Sequence, residues 1–168
     1  MEKLKEIDLK ILFELMRNSK ISDRKLARTI GVSQPTVTRR RARLESEFID
    51  GYTAIPKWEK LGYEILAVTL VKSPHRLGSD ETVQDSYARS MKWLEKQPHV
   101  IFGAGCRGMG MTGVMLSLHR SYSDLDEFLT NHRQQLGQIV EDVQTIIVNL
   151  SGKAVYRPLH LKYLAKAE

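Results

Sequence analysis

Apolar residues recur at helical spacing in three short stretches at the start of the chain. The first covers about residues 7–17, and a second follows Ser22. Gly31 interrupts the pattern, and a third helix is predicted to begin after Ser33. Both serines suit a helix N-terminus, because a hydroxyl there accepts a bond from an orphan amide of the first turn. The pattern therefore predicts two helices joined by a short Gly-containing turn, with another helix ahead of them.

The third predicted helix separates an apolar side from a basic side. The buried side is predicted to contain Val37, Leu44 and Phe48. Thr36, Arg39 and Arg43 point away from it at about 100° per residue and lie close together. A hydroxyl and two guanidinium groups in one stripe can bond phosphates and the acceptor edge of guanine, as the second helix of a helix-turn-helix does in the major groove. The alternative is an ordinary solvated basic face.

From residue 63 the pattern changes to strands that alternate with two helices. Runs of β-branched and apolar residues predict four strands, at about 63–72, 100–106, 113–120 and 145–150. Helices are predicted at about 81–96 and 123–140. The side of the first that is predicted to be buried contains Val83, Tyr87, Met91 and Leu94. Ser123 and Asp126 are predicted to open the second as a capping box.

These elements together predict an α+β protein, an N-terminal winged helix-turn-helix followed by a ferredoxin-like βαββαβ sandwich. A turn and a short β segment over residues 49–58 are the predicted wing. The turn-rich stretch 56–62 is the predicted hinge, which places the helix-turn-helix domain at 1–55 and the sandwich at 63–168. A further short strand is predicted within 152–164, and Pro158 would confine it to the edge of the sheet.

Positive charge is concentrated in the helix-turn-helix half. The chain of 168 residues has a net charge of +6, and residues 1–60 hold 14 basic and 9 acidic residues, a net of +5. Such an excess is expected of a domain that neutralises phosphates.

Several classes of protein and site are not expected. No run approaches the ~18 apolar residues of a membrane span and no signal region opens the chain, so we expect a cytoplasmic protein without membrane contact. Cys106 is the single cysteine, which excludes an internal disulfide and a cysteine-based zinc site. The histidines lack the close spacing of a zinc site, so neither a metal nor a cofactor is expected. They are His75, His99, His119, His132 and His160.

The first third of the chain resembles the DNA-binding half of the Lrp/AsnC (feast/famine) transcription regulators. The resemblance lies in EIDLKILFELMRNSKISDRKLARTIGVSQPTVTRRRARLE, followed by GYTAIPKWEKLGYEI. It implies a sequence-specific regulator that binds double-stranded DNA as a homodimer or a larger oligomer. The residues expected to contact DNA are Ser33, Gln34, Thr36, Thr38, Arg39, Arg40 and Arg43. Arg41 stands where the family usually has an aliphatic residue, and we expect its guanidinium to reach outward along the core edge.

The resemblance also implies a role for the sandwich. In this family it pairs subunits and binds a small effector, typically an amino acid, near an interface between subunits. The corresponding residues here are Gly108, Met109, Gly110 and Met111. A Met stands where the family usually has an Asp that could pair with a ligand's amino group. The effector is therefore not clearly a standard amino acid. An apolar or differently charged ligand, no ligand, or a shifted register are all consistent with the sequence.

Two other functions stay open. Sirohaem decarboxylases resemble Lrp/AsnC regulators in both halves, but they need His and Arg residues that hold a tetrapyrrole. Only Arg107, His119 and Arg120 lie near the relevant strands, so an enzyme is not the leading prediction and no catalytic residue is assigned. An architectural protein that coats DNA would instead show a strong dependence on salt and little preference for sequence.

Overall fold

The computed structural model describes residues 4–73, 81–151 and 155–165, apart from the side chains of 81–83. The chain divides into two compact units, one of residues 1–55 with 158–168 and the other of residues 56–157. The domain limits drawn from the sequence stay a prediction. Within the described residues, no helix is both long and apolar enough to cross a membrane.

Three helices form the N-terminal unit. They are α1 (Glu6–Arg17), α2 (Asp23–Ile30) and α3 (Gln34–Glu47). Their apolar sides meet in one cluster, in which Ile11, Leu26 and Val37 are completely buried. Each helix thus packs its apolar side against two others, which is why three short helices suffice to bury a common core.

The turn between α2 and α3 forms as the local sequence predicts. The Lys25 amide donates to Ser22 Oγ at 3.3 Å, and the Thr36 amide donates to Ser33 Oγ at 3.4 Å. Gly31 ends α2 with a φ of 80°. This left-handed conformation strains any residue that carries a Cβ atom, so glycine suits the position.

The segment after α3 differs from the sequence prediction. Phe48, expected on the buried side, is the C-cap residue of α3 and is 39% exposed. Residues 49–57 run without a regular strand, so the predicted wing lacks its β segment. An extended segment needs a ladder partner to become a strand, and Pro56 has no amide to donate.

The C-terminal segment also forms no strand in its described part. Residues 155–165 contain one turn of 3-10 helix, Leu161–Tyr163, and residues 152–154 of the predicted edge strand lie outside the description. Ala165 is 1% exposed, and its carbonyl accepts a hydrogen bond from Arg17 Nη2. The segment therefore packs on α1 of the N-terminal unit, which leaves it no sheet edge to pair with.

The second unit has the predicted β-α-β-β-α-β order, which confirms the fold class. Its four strands form one antiparallel sheet in the order β2-β3-β1-β4. The elements are β1 (Ile65–Lys72), α4 (Glu81–Leu94), β2 (Val100–Gly108), β3 (Met111–His119), α5 (Tyr122–Leu136) and β4 (Asp142–Asn149). A 3-10 helix, Trp58–Leu61, precedes the first strand.

One face of the sheet carries an unbroken apolar row. Val68 pairs with Leu116 and with Ile146, and Leu116 pairs with Phe102. Residues that pair across neighbouring strands lie on the same face of the sheet. These four residues therefore form a row across all four strands, which we call the open-face row. Successive residues of a strand face opposite sides, so Ala67 lies on the other face from Val68. The apolar side chains of the helices pack with Ala67, which shows that the helices cover that other face. Phe102 and Ile146 are 51% and 57% exposed.

Helix α4 buries only part of the predicted side: Leu94 packs against the core as predicted, but two of the other residues do not. Tyr87 and Met91 are 68% and 40% exposed, and the side chain of Val83 lies outside the description. Trp93 is buried instead, and its Nε1 donates to Asn131 Oδ1 at 3.0 Å. Burying the large indole with its single donor satisfied is favourable, which explains the side of the helix that faces the core.

Helix α5 begins two residues earlier than predicted. Its N-cap is Ser121, whose Oγ accepts a bond from the Asp124 amide at 3.1 Å. Asp124 Oδ2 in turn accepts the Arg120 amide at 2.8 Å. The predicted pair, Ser123 and Asp126, has the same spacing but lies inside the helix. The first pair is used because β3 ends directly before it.

Candidate nucleic-acid interface

The N-terminal half of α3 offers polar side chains to solvent. Ser33, Gln34 and Arg39 are exposed, and Thr36 is half-buried. The hydroxyl groups of Ser33 and Thr36 lie 2.8 Å apart. Arg39 makes no hydrogen bond or ion pair with any described residue, so its guanidinium keeps all its donors available to a ligand.

Arg43 lies one turn further along the same side. Its Nε donates to Glu47 Oε2 at 3.1 Å, an i,i+4 pair on the surface. Such pairs are worth roughly 0.3–0.5 kcal/mol. A phosphate could therefore replace the Glu47 carboxylate at little cost.

Arg40, predicted to contact phosphate, points into the unit in this structure. Its Nη1 donates to Asp8 Oδ1 at 2.7 Å, and Asp8 is 1% exposed. Burial opposes the ionisation of Asp8, but hydrogen bonds from Arg40 and from the Lys5 amide outweigh it and hold the pKa of Asp8 below its ordinary value. Arg40 thus braces α3 against α1, a role that the sequence prediction missed.

Thr38 is also occupied within the unit. It was predicted to contact DNA, but its Oγ1 donates to Asp23 Oδ2 at 2.6 Å. Arg41 Nη1 donates to the other oxygen of the same carboxylate at 3.1 Å and to the Ile21 carbonyl at 3.0 Å. Asp23 begins α2, so two residues of α3 hold the start of the preceding helix.

Arg41 also fixes the segment after α3. Its Nε donates to Glu45 Oε1 at 2.8 Å, and its Cζ lies 5.9 Å from the ring centroid of Tyr52. Tyr52 Oη donates to the same Glu45 oxygen at 2.8 Å. The bonds from Arg41 and Tyr52 hold the pKa of Glu45 below its ordinary value, whereas burial and Glu45 raise that of Tyr52. Arg41, which stands where the family usually has an aliphatic residue, therefore contacts residues of its own unit on both sides of its position in α3.

The four predicted effector residues form the tight connection between β2 and β3. Gly108, Met109 and Gly110 have φ values of 139°, 53° and 74°. Met109 is 82% exposed, whereas Met111 is 5% exposed and faces the core. They do not converge on one pocket. A cleft of about 610 Å³ lies elsewhere in this unit, between α4 and the sheet, and none of the four lines it.

Three side chains that are distant in sequence meet near the end of β3. His99 precedes β2, His119 ends β3, and Asp124 lies in the first turn of α5. The Asp124 carboxylate lies 3.8 Å from His99 Nε2 and 3.8 Å from His119 Nδ1. The imidazole rings stack with centroids 5.2 Å apart. The sequence prediction missed this group because sheet pairing, rather than close spacing, brings it together.

Comparison with known proteins identifies the family. The model of the AsnC-type helix-turn-helix domain matches residues 4–45. The leucine-responsive regulatory protein of Rhizobium meliloti (strain 1021) is 36% identical over 91 residues, which are 54% of this chain and 57% of that protein. The regulator LrpC of Bacillus subtilis (strain 168) is 33% identical over 111 residues, 62% of this chain and 70% of that protein. The chain belongs to the Lrp/AsnC family of transcriptional regulators.

The fold of this Lrp/AsnC regulator agrees with a solved relative. The structure of Bacillus subtilis LrpC superposes with a TM-score of 0.72 at 25% identity, covering 88% of this chain and 95% of that one. The match therefore extends beyond the helix-turn-helix into the sandwich.

Proposed function

We propose that this regulator recognises a specific DNA sequence through the outward side of α3. The observation that carries the proposal is that Arg39 is exposed and has no partner among the described residues. The exposed amide of Gln34 stands at the start of the same helix. Arg bonds guanine and Gln bonds adenine through paired contacts in the major groove. Ser33, Thr36 and Arg43 flank them and suit phosphate contacts.

Internal bonds support this assignment, because they fix the direction in which α3 points. The Arg40 bond to Asp8 ties α3 to α1, and the Arg41 bond to Asp23 ties it to α2. A reading helix that is already held in position loses less conformational freedom on binding. We assign Arg40 and Thr38 to this bracing role, with Arg39 and Arg43 as the basic contacts.

We also propose a homodimer that pairs through the open-face row. Within the described part of this unit, α4 and α5 pack on the other side of the sheet, and the open-face row spans every strand. A second copy of the same face would cover it with two-fold symmetry. Such a dimer would read two half-sites about one helical turn apart, or a multiple of it. We propose a cytoplasmic location as well, because the proposed partner is DNA.

We keep the β2–β3 connection as the proposed effector-binding segment. Met109 offers an exposed apolar side chain there, and the connection supplies no carboxylate of its own for a ligand's amino group. A ligand at this position would accordingly be apolar or anionic. The relatives are regulators, so we propose no catalytic activity.

Fluorescence anisotropy on the DNA upstream of the regulator's own gene tests the DNA-binding proposal. We expect a preference of at least ~10³ over a scrambled duplex. Arg39→Ala should weaken specific binding by about 1–3 kcal/mol if it bonds a base. Arg89→Ala is the matched control, since Arg89 is an exposed arginine on α4.

Two outcomes would contradict the proposal. Equal affinity for both duplexes with a steep salt dependence would indicate an architectural protein. Unchanged affinity in Arg39→Ala and Arg43→Ala would remove α3 as the reading element.

A further inference from the structure

The group of His99, His119 and Asp124 has the chemistry of a metal site. It offers two imidazole nitrogens and a carboxylate, and the three ligand atoms all lie within 4.8 Å of one another. Imidazole with carboxylate is a ligand set that suits zinc and other divalent first-row metals. The group is remote in sequence from both the reading face of α3 and the β2–β3 connection.

The hydrogen bonds around the two imidazoles leave one nitrogen of each ring free near the Asp124 carboxylate. His99 Nδ1 lies 3.2 Å from the Leu118 carbonyl, which can only accept, so Nδ1 carries the proton and Nε2 is free. His119 Nε2 lies 2.8 Å from Ser117 Oγ, which can accept its proton and leave Nδ1 free. Metal-binding histidines in proteins are commonly fixed in this way by an outer partner.

His119 provides an independent observation. Its side chain is completely buried, and its Nδ1 has no hydrogen-bond partner among the described residues. A buried polar atom without a partner is unfavourable, so each one needs an explanation. A cation bound between this nitrogen and Asp124 would satisfy it.

We propose that His99, His119 and Asp124 bind one divalent first-row transition metal ion per chain, with Zn²⁺ as the fitting ion. Metal–ligand bonds of about 2.0–2.1 Å at tetrahedral angles place ligand atoms about 3.3 Å apart. Asp124 Oδ1 lies 3.8 Å from His99 Nε2, and Asp124 Oδ2 lies 3.8 Å from His119 Nδ1, so each contact is within about half an ångström of this separation. His99 and Asp124 are partly exposed, which lets the ion enter and leaves a fourth position for water.

The bound ion would join three separate segments of the sandwich. It would tie the end of β3 to the residue before β2 and to the first turn of α5. The ion would therefore stabilise the folded unit by an amount that grows with the logarithm of its concentration above Kd.

Isothermal titration of tag-free, chelator-treated full-length protein with ZnCl₂ tests the proposal. We expect one ion per chain and a rise in Tm with Zn²⁺. CoCl₂ should produce the visible absorption of cobalt with nitrogen ligands. His99→Gln and Asp124→Asn should each weaken Kd at least about tenfold, and Ser117→Ala about 10–100-fold, since removing an outer partner has that effect.

Two control variants separate this site from other zinc ligands on the chain. Cys106→Ser and His160→Gln remove a thiol and a partly exposed imidazole outside the group and should leave Kd unchanged. His119→Gln is avoided because its complete burial endangers folding. The proposal is overturned if wild-type protein shows no saturable Zn²⁺ binding up to millimolar concentration. It is equally overturned if binding survives in His99→Gln and Asp124→Asn but is lost in either control variant.

Discussion

Three consecutive arginines on α3 have different environments. Arg39 is exposed, Arg40 is bonded to the buried Asp8, and Arg41 bridges Asp23 and Glu45. Helical geometry turns each residue by about 100°, so neighbours in sequence face different surroundings. The positive charge of this stretch is therefore divided between one exposed side chain and two that hold the helices together.

The brace between Arg40 and Asp8 gives a prediction about stability. Arg40→Ala leaves the Asp8 carboxylate buried without its charged partner. We expect a loss of about 2–3 kcal/mol, just below the usual range for a broken buried pair because Arg40 itself is partly exposed. Urea unfolding of the full chain at pH 7 measures the difference.

The same variant predicts a pH dependence. Because the pKa of Asp8 is lowered in the folded protein, its stabilising contribution is present above the unfolded value, about 4, and is lost as pH falls through the folded value. In Arg40→Ala the carboxyl group keeps the bond from the Lys5 amide but loses its charged partner, so burial opposes its ionisation more strongly and its pKa rises. The difference in unfolding free energy between the two proteins should therefore shrink as pH falls below about 4. A difference that is independent of pH would contradict this role for Asp8.

At the scale of elements, the turn between α2 and α3 is fixed by glycine. Gly31 has a φ of 80°, and a Cβ atom added there would meet nothing within 4 Å. Gly31→Ala should thus cost only the backbone strain, about 1–2 kcal/mol. Gly51→Ala is the matched control, because its site is equally open and its φ lies outside the left-handed region. Chemical denaturation should show a loss for the first variant and at most a small change for the second.

Local signals explain which elements the sequence could predict. Ser22, Gly31 and Ser33 act on the residues next to them, and the helix-turn-helix was predicted correctly. The start of α5 was predicted wrongly, because the sequence contains two Ser-Asp pairs of equal spacing. Which pair caps the helix depends on where β3 ends. The prediction for the buried side of α4 was also wrong for Tyr87 and Met91. Trp93 is buried instead, because it packs on residues of another helix, and periodicity along α4 does not reveal such contacts.

The functional sites show the same limit more strongly. The outward position of Arg39 follows from the helical wheel alone. The partners of Arg40 and Arg41 do not, because Asp8 and Asp23 belong to other helices. Likewise His99 and His119 meet only through the sheet, where the Leu118 amide donates to the His99 carbonyl at 2.9 Å. Such groups can be found from sequence only after the strand register is known.

At the scale of the whole molecule, the sheet packs one face against its helices, and the other carries the open-face row of the proposed dimer contact. Phe102 and Ile146 occupy the two edge strands of the open-face row and are more than half exposed. Changing them to charged residues should not disturb the core, which lies on the other face. Phe102→Glu and Ile146→Glu together should instead place like charges in the proposed dimer contact.

We therefore expect the double variant to keep its circular dichroism spectrum but to elute as a monomer in size-exclusion chromatography with light scattering. Tyr122→Glu, which alters an aromatic residue on α5 that is 68% exposed, should stay dimeric. Operator affinity should fall only in the double variant, because a monomer binds a single half-site and loses the gain from linking two. A dimer that survives the double change would mean that another surface pairs the subunits, and a monomer with full operator affinity would mean that the reading helices act singly.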